Sequence, residues 1–262
     1  MAVFTGKNPN VTLTECLLEG SAPKGAVMVC PGGGYQFLSD REAEVVGRAF
    51  NRGGYHAFVL RYSIRNPEKN EPPLGGKVLQ DLAWGIAHIR QNAEKYNLDP
   101  GKIAVCGFSA GGHAAASIGV YWNRPEFFGC DLDPALIQPN GLILSYPVIS
   151  TTNSHSGSFA NLAGENPADQ ESYSLEKQIG PHTPPSFLWH TSADAGVPVY
   201  NSLIFCEKLE ENKIPFELHI FPHGPHGMSM AVEETSENNP DLVDPRVAQW
   251  MGLAIQWLDE TF

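Results

Sequence analysis

Basic residues are scarce in this chain. Only 17 Lys and Arg stand against 29 Asp and Glu in 262 residues, a formal charge of −12. A surface that acidic repels phosphate backbones and anionic lipid, which argues against nucleic acid and membrane surfaces as partners. Long apolar runs are missing too: no stretch approaches the roughly 18 residues of a membrane span, and no apolar segment follows Met1–Asn10 to make a secretion signal. The expectation is a cytoplasmic protein. Cysteine is limited to Cys16, Cys30, Cys106, Cys130 and Cys206. That count is odd, the spacing fits neither a disulfide framework nor a metal site, and the apolar neighbours read as reduced core positions.

What is present is an ordinary globular composition, 42% hydrophobic and 18% charged, with enough apolar material for a sizeable core. The length suits one α/β domain spanning 1–262. From Gly25 onward, short β-branched runs alternate with longer segments of helical period, the pattern of crossover units around a mostly parallel sheet. Strands are expected at Ala26–Cys30, His56–Tyr62, Ile103–Gly107, Gly141–Tyr146, Ser186–Thr191 and Phe216–Phe221, with Val11–Leu18 as an antiparallel edge strand. Helices are expected near Val78–Tyr96, Arg41–Arg52, Ala110–Val120, Val199–Asn212 and Arg246–Asp259. Residues 151–185, rich in Ser, Asn, Gly and Pro, break the rhythm except for a short helical piece near Ser174–Gln178. They read as an insertion serving as a partial lid.

Gly107-Phe108-Ser109-Ala110-Gly111 lies between an expected strand and an expected helix. That is the context in which a G-x-S-x-G turn exposes a nucleophilic serine at a helix N-terminus. A serine hydroxyl needs a base, and in this arrangement the partners follow in chain order, acid and then histidine. Of nine histidines, His226 is preferred. It lies in Pro222-His223-Gly224-Pro225-His226-Gly227, a loop leaving the last strand at the edge where α/β sites form, and Gly227 lets its ring swing towards Ser109. His223 is the alternative; His56, His88, His113, His190 and His219 read as structural, and His155 and His182 as weak substrate contacts. Asp194, just after the strand Ser186–Thr191, is the expected acid, ahead of Asp131, Asp133 and Asp169. Pro31-Gly32-Gly33-Gly34-Tyr35 follows the first parallel strand, and the N–H groups of Gly33 and Gly34, with that of Ala110, are the expected oxyanion hole. No phosphate-loop pattern overlaps it, and no cofactor or metal is expected. Tyr35, Phe159, Asn161 and Leu162, together with His155, are candidates to line a short acyl and sugar pocket.

These motifs resemble those of the α/β-hydrolase carbohydrate esterases, especially the acetyl-xylan-esterase-like proteins. The likeness runs through nearly the whole chain. Besides the loops already quoted it rests on Leu60-Arg61-Tyr62, Gly112-His113, Phe159-Ala160-Asn161-Leu162, Ser174-Leu175-Glu176-Lys177, Thr183-Pro184-Pro185, Trp189 to Pro198 with Asn201-Ser202, and His226-Gly227. The resemblance implies an α/β-hydrolase fold and a metal-free Ser-Asp-His hydrolase acting on acetyl or similarly small acyl groups of plant-polysaccharide sugars, the three roles falling on Ser109, Asp194 and His226. The chain departs from the pattern at Pro31, where many lipases and esterases of this fold carry His, and at Ala193, where a second acid is common. Feruloyl esterases, short-chain carboxylesterases and oligopeptidase-type peptidases share parts of the pattern, although this chain has no room for the β-propeller of the last.

Overall fold

A computed structural model describes residues 3–5, 8, 10–20, 22–128 and 133–262. Elements run in the order β1 (Val3–Thr5), β2 (Thr12–Cys16), β3 (Ala26–Cys30), α1 (Glu44–Arg52), β4 (His56–Arg61), α2 (Lys77–Gln91), β5 (Ile103–Phe108), α3 (Ala110–Tyr121) and α4 (Pro134–Ile137). They continue with β6 (Gly141–Ser145), α5 (Ser156–Ala163), α6 (Pro167–Gln170), β7 (Ser186–Thr191), α7 (Tyr200–Glu211), β8 (Phe216–Phe221) and α8 (Trp250–Thr261). The strands form one eight-stranded sheet in the order β1-β2-β4-β3-β5-β6-β7-β8. The first two are antiparallel additions, and β4, β3, β5, β6, β7 and β8 are parallel.

Alternation along each strand splits the interior into two cores. In β3, Ala26, Met28 and Cys30 face a core built with α2, α3 and α7. Val27 and Val29 face the other, against α1 and the Trp250, Ala254, Trp257 and Leu258 stripe of α8. Strands buried on both sides read as continuous apolar runs, which is why β3, β5, β6 and β7 are so plain in the sequence. Cys16, Cys30, Cys106 and Cys206 are buried; Cys130 lies outside the described residues. No helix among the described residues is long and apolar enough to cross a membrane.

Three expectations need correction. The edge position belongs to β1, which covers β2 through the register Val3 with Thr14 to Thr5 with Thr12. The second helix stops at Gln91 rather than Tyr96, Ala93 and Tyr96 packing from the turns that follow. The insertion is less irregular than its composition implies, because Ser156–Ala163 is a two-turn helix that ends at Gly164 with φ 85°. Its N-cap is His155, whose ring Nδ1 accepts the Ser158 N–H at 3.1 Å. Ser, Thr, Asp and Asn usually do that work, so the cap carries no ordinary sequence signal. The expected helical piece near Ser174 is a 3₁₀ turn, Leu175–Lys177.

Candidate active site

The carboxyl ends of β3, β5, β7 and β8 converge on one edge, where a doubly wound sheet opens a crevice. β5 runs into Ser109, which adopts φ 54° and ψ −118°, a conformation that L-residues rarely hold. The neighbouring glycines make it possible. A Cβ on Gly107 would collide with the Gly111 carbonyl, and one on Gly111 with the carbonyls of Cys30 and Pro31. Strand, sharp turn and helix therefore fit together only with this residue pattern, and the hydroxyl is left at the N-terminus of α3.

Ser109 Oγ lies 2.8 Å from His226 Nε2, and His226 Nδ1 lies 2.7 Å from Asp194 Oδ2. The Asp194 carboxylate can only accept, so Nδ1 carries the ring hydrogen and Nε2 is free to take the serine proton. Asp194 is buried, and its other oxygen accepts the N–H groups of Gly196 and Val197, both at 2.8 Å. Burial by itself would raise its pKa. Hydrogen bonds from His190 and His226, the charge of His226 and the Val197 N–H outweigh burial and hold it well below the usual carboxylate range. His190 was read from the sequence as a structural strand histidine. Its Nε2 faces the Val197 carbonyl at 2.9 Å and Asp194 Oδ2 at 3.4 Å, both acceptors, so it carries a hydrogen and helps fix the acid. The spacing His190 to Asp194 across the end of β7 was the available clue.

The loop after β3 reaches over Ser109. Gly33 has φ 132° and Gly34 φ 62°, and the N–H groups of both are without a hydrogen-bond partner among the described residues. Ala110 opens α3, where the first N–H groups have no partner within the helix. Around them is a cleft of about 310 Å³ lined by Gly33, Gly34, Phe37, Glu42, Ser109, His155 and His226, among others. His155, a weak candidate in the sequence, stands on the cleft wall.

Tyr35, Phe159, Asn161 and Leu162 do not line this cleft. All four are buried. Asn161 Nδ2 donates to the Gly34 carbonyl at 2.9 Å, Tyr35 Oη lies 2.8 Å from His113 Nδ1, and Phe159 packs with Val148 and Val197. The expectation that they meet substrate is corrected. Once the insertion forms α5, its apolar side turns inward and packs behind the oxyanion-type loop. Among the other candidates, Asp133 caps α4 and Asp169 is exposed beside Asn166. His223 is exposed, and Asp131 lies outside the described residues. Among the described residues no cluster of three or more His, Cys, Asp or Glu could hold a metal ion.

Sequence reasoning also missed Glu42 and Tyr146. Glu42 Oε2 accepts the Gly32 N–H at 2.8 Å and Oε1 accepts the Tyr146 hydroxyl at 2.6 Å. Neither residue stands in a motif, and only the folded sheet edge brings them together.

Comparison with known proteins agrees with this architecture. The family model BD-FAE matches residues 19–138. A solved acetyl ester-xyloside bifunctional hydrolase from Caldicellulosiruptor lactoaceticus is 36% identical, covers 98% of this chain and 90% of its own, and superposes with a TM-score of 0.81. The chain belongs to the α/β-hydrolase esterase family. It is 41% identical over 219 residues to endo-1,4-beta-xylanase B of Butyrivibrio fibrisolvens, covering 80% of this chain and 33% of the xylanase. It is 29% identical over 221 residues to an acetylxylan esterase of Xylanibacter ruminicola, covering 81% and 42%. The chain thus spans about a third to two fifths of the length of these two relatives. Family membership gives the reaction class, carboxylic ester hydrolysis.

Proposed function

We propose that this chain removes acetyl and similarly short acyl groups from sugars, acetylated xylo-oligosaccharides among them, through an acyl-serine intermediate on Ser109. The observation that carries this reading is the 2.8 Å approach of Ser109 Oγ to His226 Nε2, with Asp194 behind the ring and unpaired backbone N–H groups beside the hydroxyl. As Ser109 Oγ bonds to the acyl carbon, its proton passes to His226 Nε2 and the carbonyl electron pair moves onto oxygen. The N–H groups of Gly33, Gly34 and Ala110 meet that oxyanion, and such donors each lower the barrier by roughly 2.7 to 4 kcal/mol. Collapse restores the carbonyl and breaks its bond to the sugar oxygen, which takes the proton from His226. Water then attacks the acyl-serine by the same path, its proton going to His226 and on to Ser109 Oγ.

Two features favour a sugar over a lipid. The names of the relatives point to xylan and xyloside chemistry. On the cleft rim, Phe37 is 60% exposed, an apolar ring suited to the C–H face of a pyranose.

The test is acid release from acetylated xylo-oligosaccharides, cellobiose octaacetate and a feruloylated arabinoside. Acetate should come from the first two, and Ser109→Ala should lower turnover by more than about 10⁴-fold with an unchanged far-UV spectrum. Preferential release of ferulate, or a near-wild-type Ser109→Ala, would refute the proposal.

A further inference from the structure

Glu42 is a carboxylate on the cleft floor that the reaction above does not use. It ends the 3₁₀ turn Asp40–Glu42 ahead of α1 and is 3% exposed. Both of its oxygens are taken by donors. Oε2 accepts the N–H of Gly32, the residue before Gly33, and a Cβ on Gly32 would stand 2.8 Å from that oxygen and 3.0 Å from Ser109 Cβ. Oε1 accepts the Tyr146 hydroxyl, whose oxygen in turn accepts the N–H of Ser229 at 2.9 Å. Ser229 follows His226 by three residues, and the Tyr146 ring stands edge-on to the imidazole with centroids 5.1 Å apart. Next to Glu42 in sequence, Arg41 donates to the carbonyls of Gly227 and Thr235, both at 3.0 Å.

One buried side chain therefore joins the loop after β3 to the loop after β8. A carboxylate accepts on both oxygens, from the Gly32 N–H and from the Tyr146 hydroxyl. A glutamine would offer one carbonyl and one NH₂ group: its NH₂ either meets the Gly32 N–H donor to donor or reverses the Tyr146 bond, leaving the hydroxyl hydrogen without its acceptor. Burying a charge is unfavourable unless hydrogen bonds compensate, so a carboxylate kept here marks a position where its acceptor geometry and charge matter. Burial is the largest influence and leaves its pKa above the ordinary carboxylate value, although Tyr146, Gly32 and the positive charges of Arg41 and His226 oppose the rise.

We propose that Glu42 is a positioning residue for both halves of the site: through Gly32 it aims the Gly33 and Gly34 N–H groups, and through Tyr146 it holds the histidine loop while its charge favours the imidazolium. This rests on the serine-esterase reading above. The titratable and charged groups around Glu42 are Arg41, Tyr62, Cys106, Tyr146 and His226, and those around His226 are Asp194, His155 and Glu42. Oxyanion donors act on the transition state more than on bound substrate, so the effect belongs in kcat rather than KM.

The test is kinetics of Glu42→Gln and Tyr146→Phe on p-nitrophenyl acetate from pH 5 to 9, with circular dichroism to check folding and Ser109→Ala as control. Glu42→Gln should lose at least tenfold in kcat with KM within about twofold. Its acid limb in kcat/KM should move to lower pH, because a negative charge that stabilises the imidazolium is gone. Tyr146→Phe should lower kcat at least fivefold without that downward move, since the carboxylate remains. A folded Glu42→Gln with wild-type kcat and an unmoved acid limb overturns the proposal. Should Glu42→Gln fail to fold, Tyr146→Phe decides: the stated loss supports the proposal and wild-type kcat overturns it. Full activity in Ser109→Ala would instead remove the serine-esterase reading itself.

Discussion

Tyr35 and His113 meet at 2.8 Å in the interior, joining the loop after β3 to the first turn of α3. The other ring nitrogen of His113, Nε2, lies 2.8 Å from the Tyr173 carbonyl, which can only accept. Nε2 therefore carries the hydrogen and Nδ1 accepts from the Tyr35 hydroxyl. A neutral histidine satisfies both partners; a protonated one would set an N–H against Nδ1's partner and bury a charge.

That arrangement makes the fold sensitive to acid. Burial, partly opposed by the hydrogen bond to Tyr173, lowers the His113 pKa from 6.5 to about 4. Because the folded value is the lower one, the unfolded chain binds more protons between the two. The stabilisation is fully present above about pH 6.5 and is lost as pH falls towards about 4. Its size is about 3 kcal/mol by the usual conversion of a pKa difference. Thermal melts should show the wild type losing stability over this range and His113→Gln, though less stable at pH 7.5, losing less of it. Parallel pH profiles for the two proteins would show that His113 is not the source.

Asp194 holds the His226 tautomer and is kept ionised by its hydrogen bonds. Asp194→Asn should lower kcat by about 10⁴, the loss seen when an amide forces the wrong tautomer on a serine-protease histidine. Asp169→Asn, at an exposed site beside Asn166, should leave kcat unchanged. Steady-state kinetics of both variants check this, and a larger loss in Asp169→Asn would contradict the assignment of the acid.

The cleft should favour short acyl groups. The residues packed behind the loop after β3 leave no exposed apolar groove there: Tyr35, Phe159 and Leu162 are buried, and Asn161 is bound to the Gly34 carbonyl. Forcing extra methylenes into a packed interior costs about 1 to 3 kcal/mol. On a series of p-nitrophenyl esters, kcat/KM should fall steeply from acetyl to hexanoyl. A profile rising towards octanoyl would mean that the chain finds another groove.

How much of this was written in the chain differs from element to element. The strands β3, β5, β6 and β7 are buried on both faces, so apart from His190 in β7 their residues are apolar or small and their positions are plain without a structure. The Ser109 turn was equally legible, because a strained φ and close backbone contacts demand Gly107 and Gly111 at fixed offsets. Asp194 and His226 could be chosen because each follows a recognisable strand on the same sheet edge. The helix α5, capped by a histidine, could not. Nor could the inward direction of Tyr35, Phe159 and Leu162, since an apolar or aromatic side chain near a site looks the same in sequence whether it lines a cleft or packs behind it. Glu42 and Tyr146 have no local signature at all, and His190 has only its spacing to Asp194. The partners of Glu42 lie on other strands and loops, 10 and 104 residues away, and the low-dielectric contact that joins it to Tyr146 exists only after the sheet has brought those ends together. Local sterics and hydrophobic pattern determined the scaffold and the Ser109 turn, and long-range hydrogen bonding decided what surrounds them.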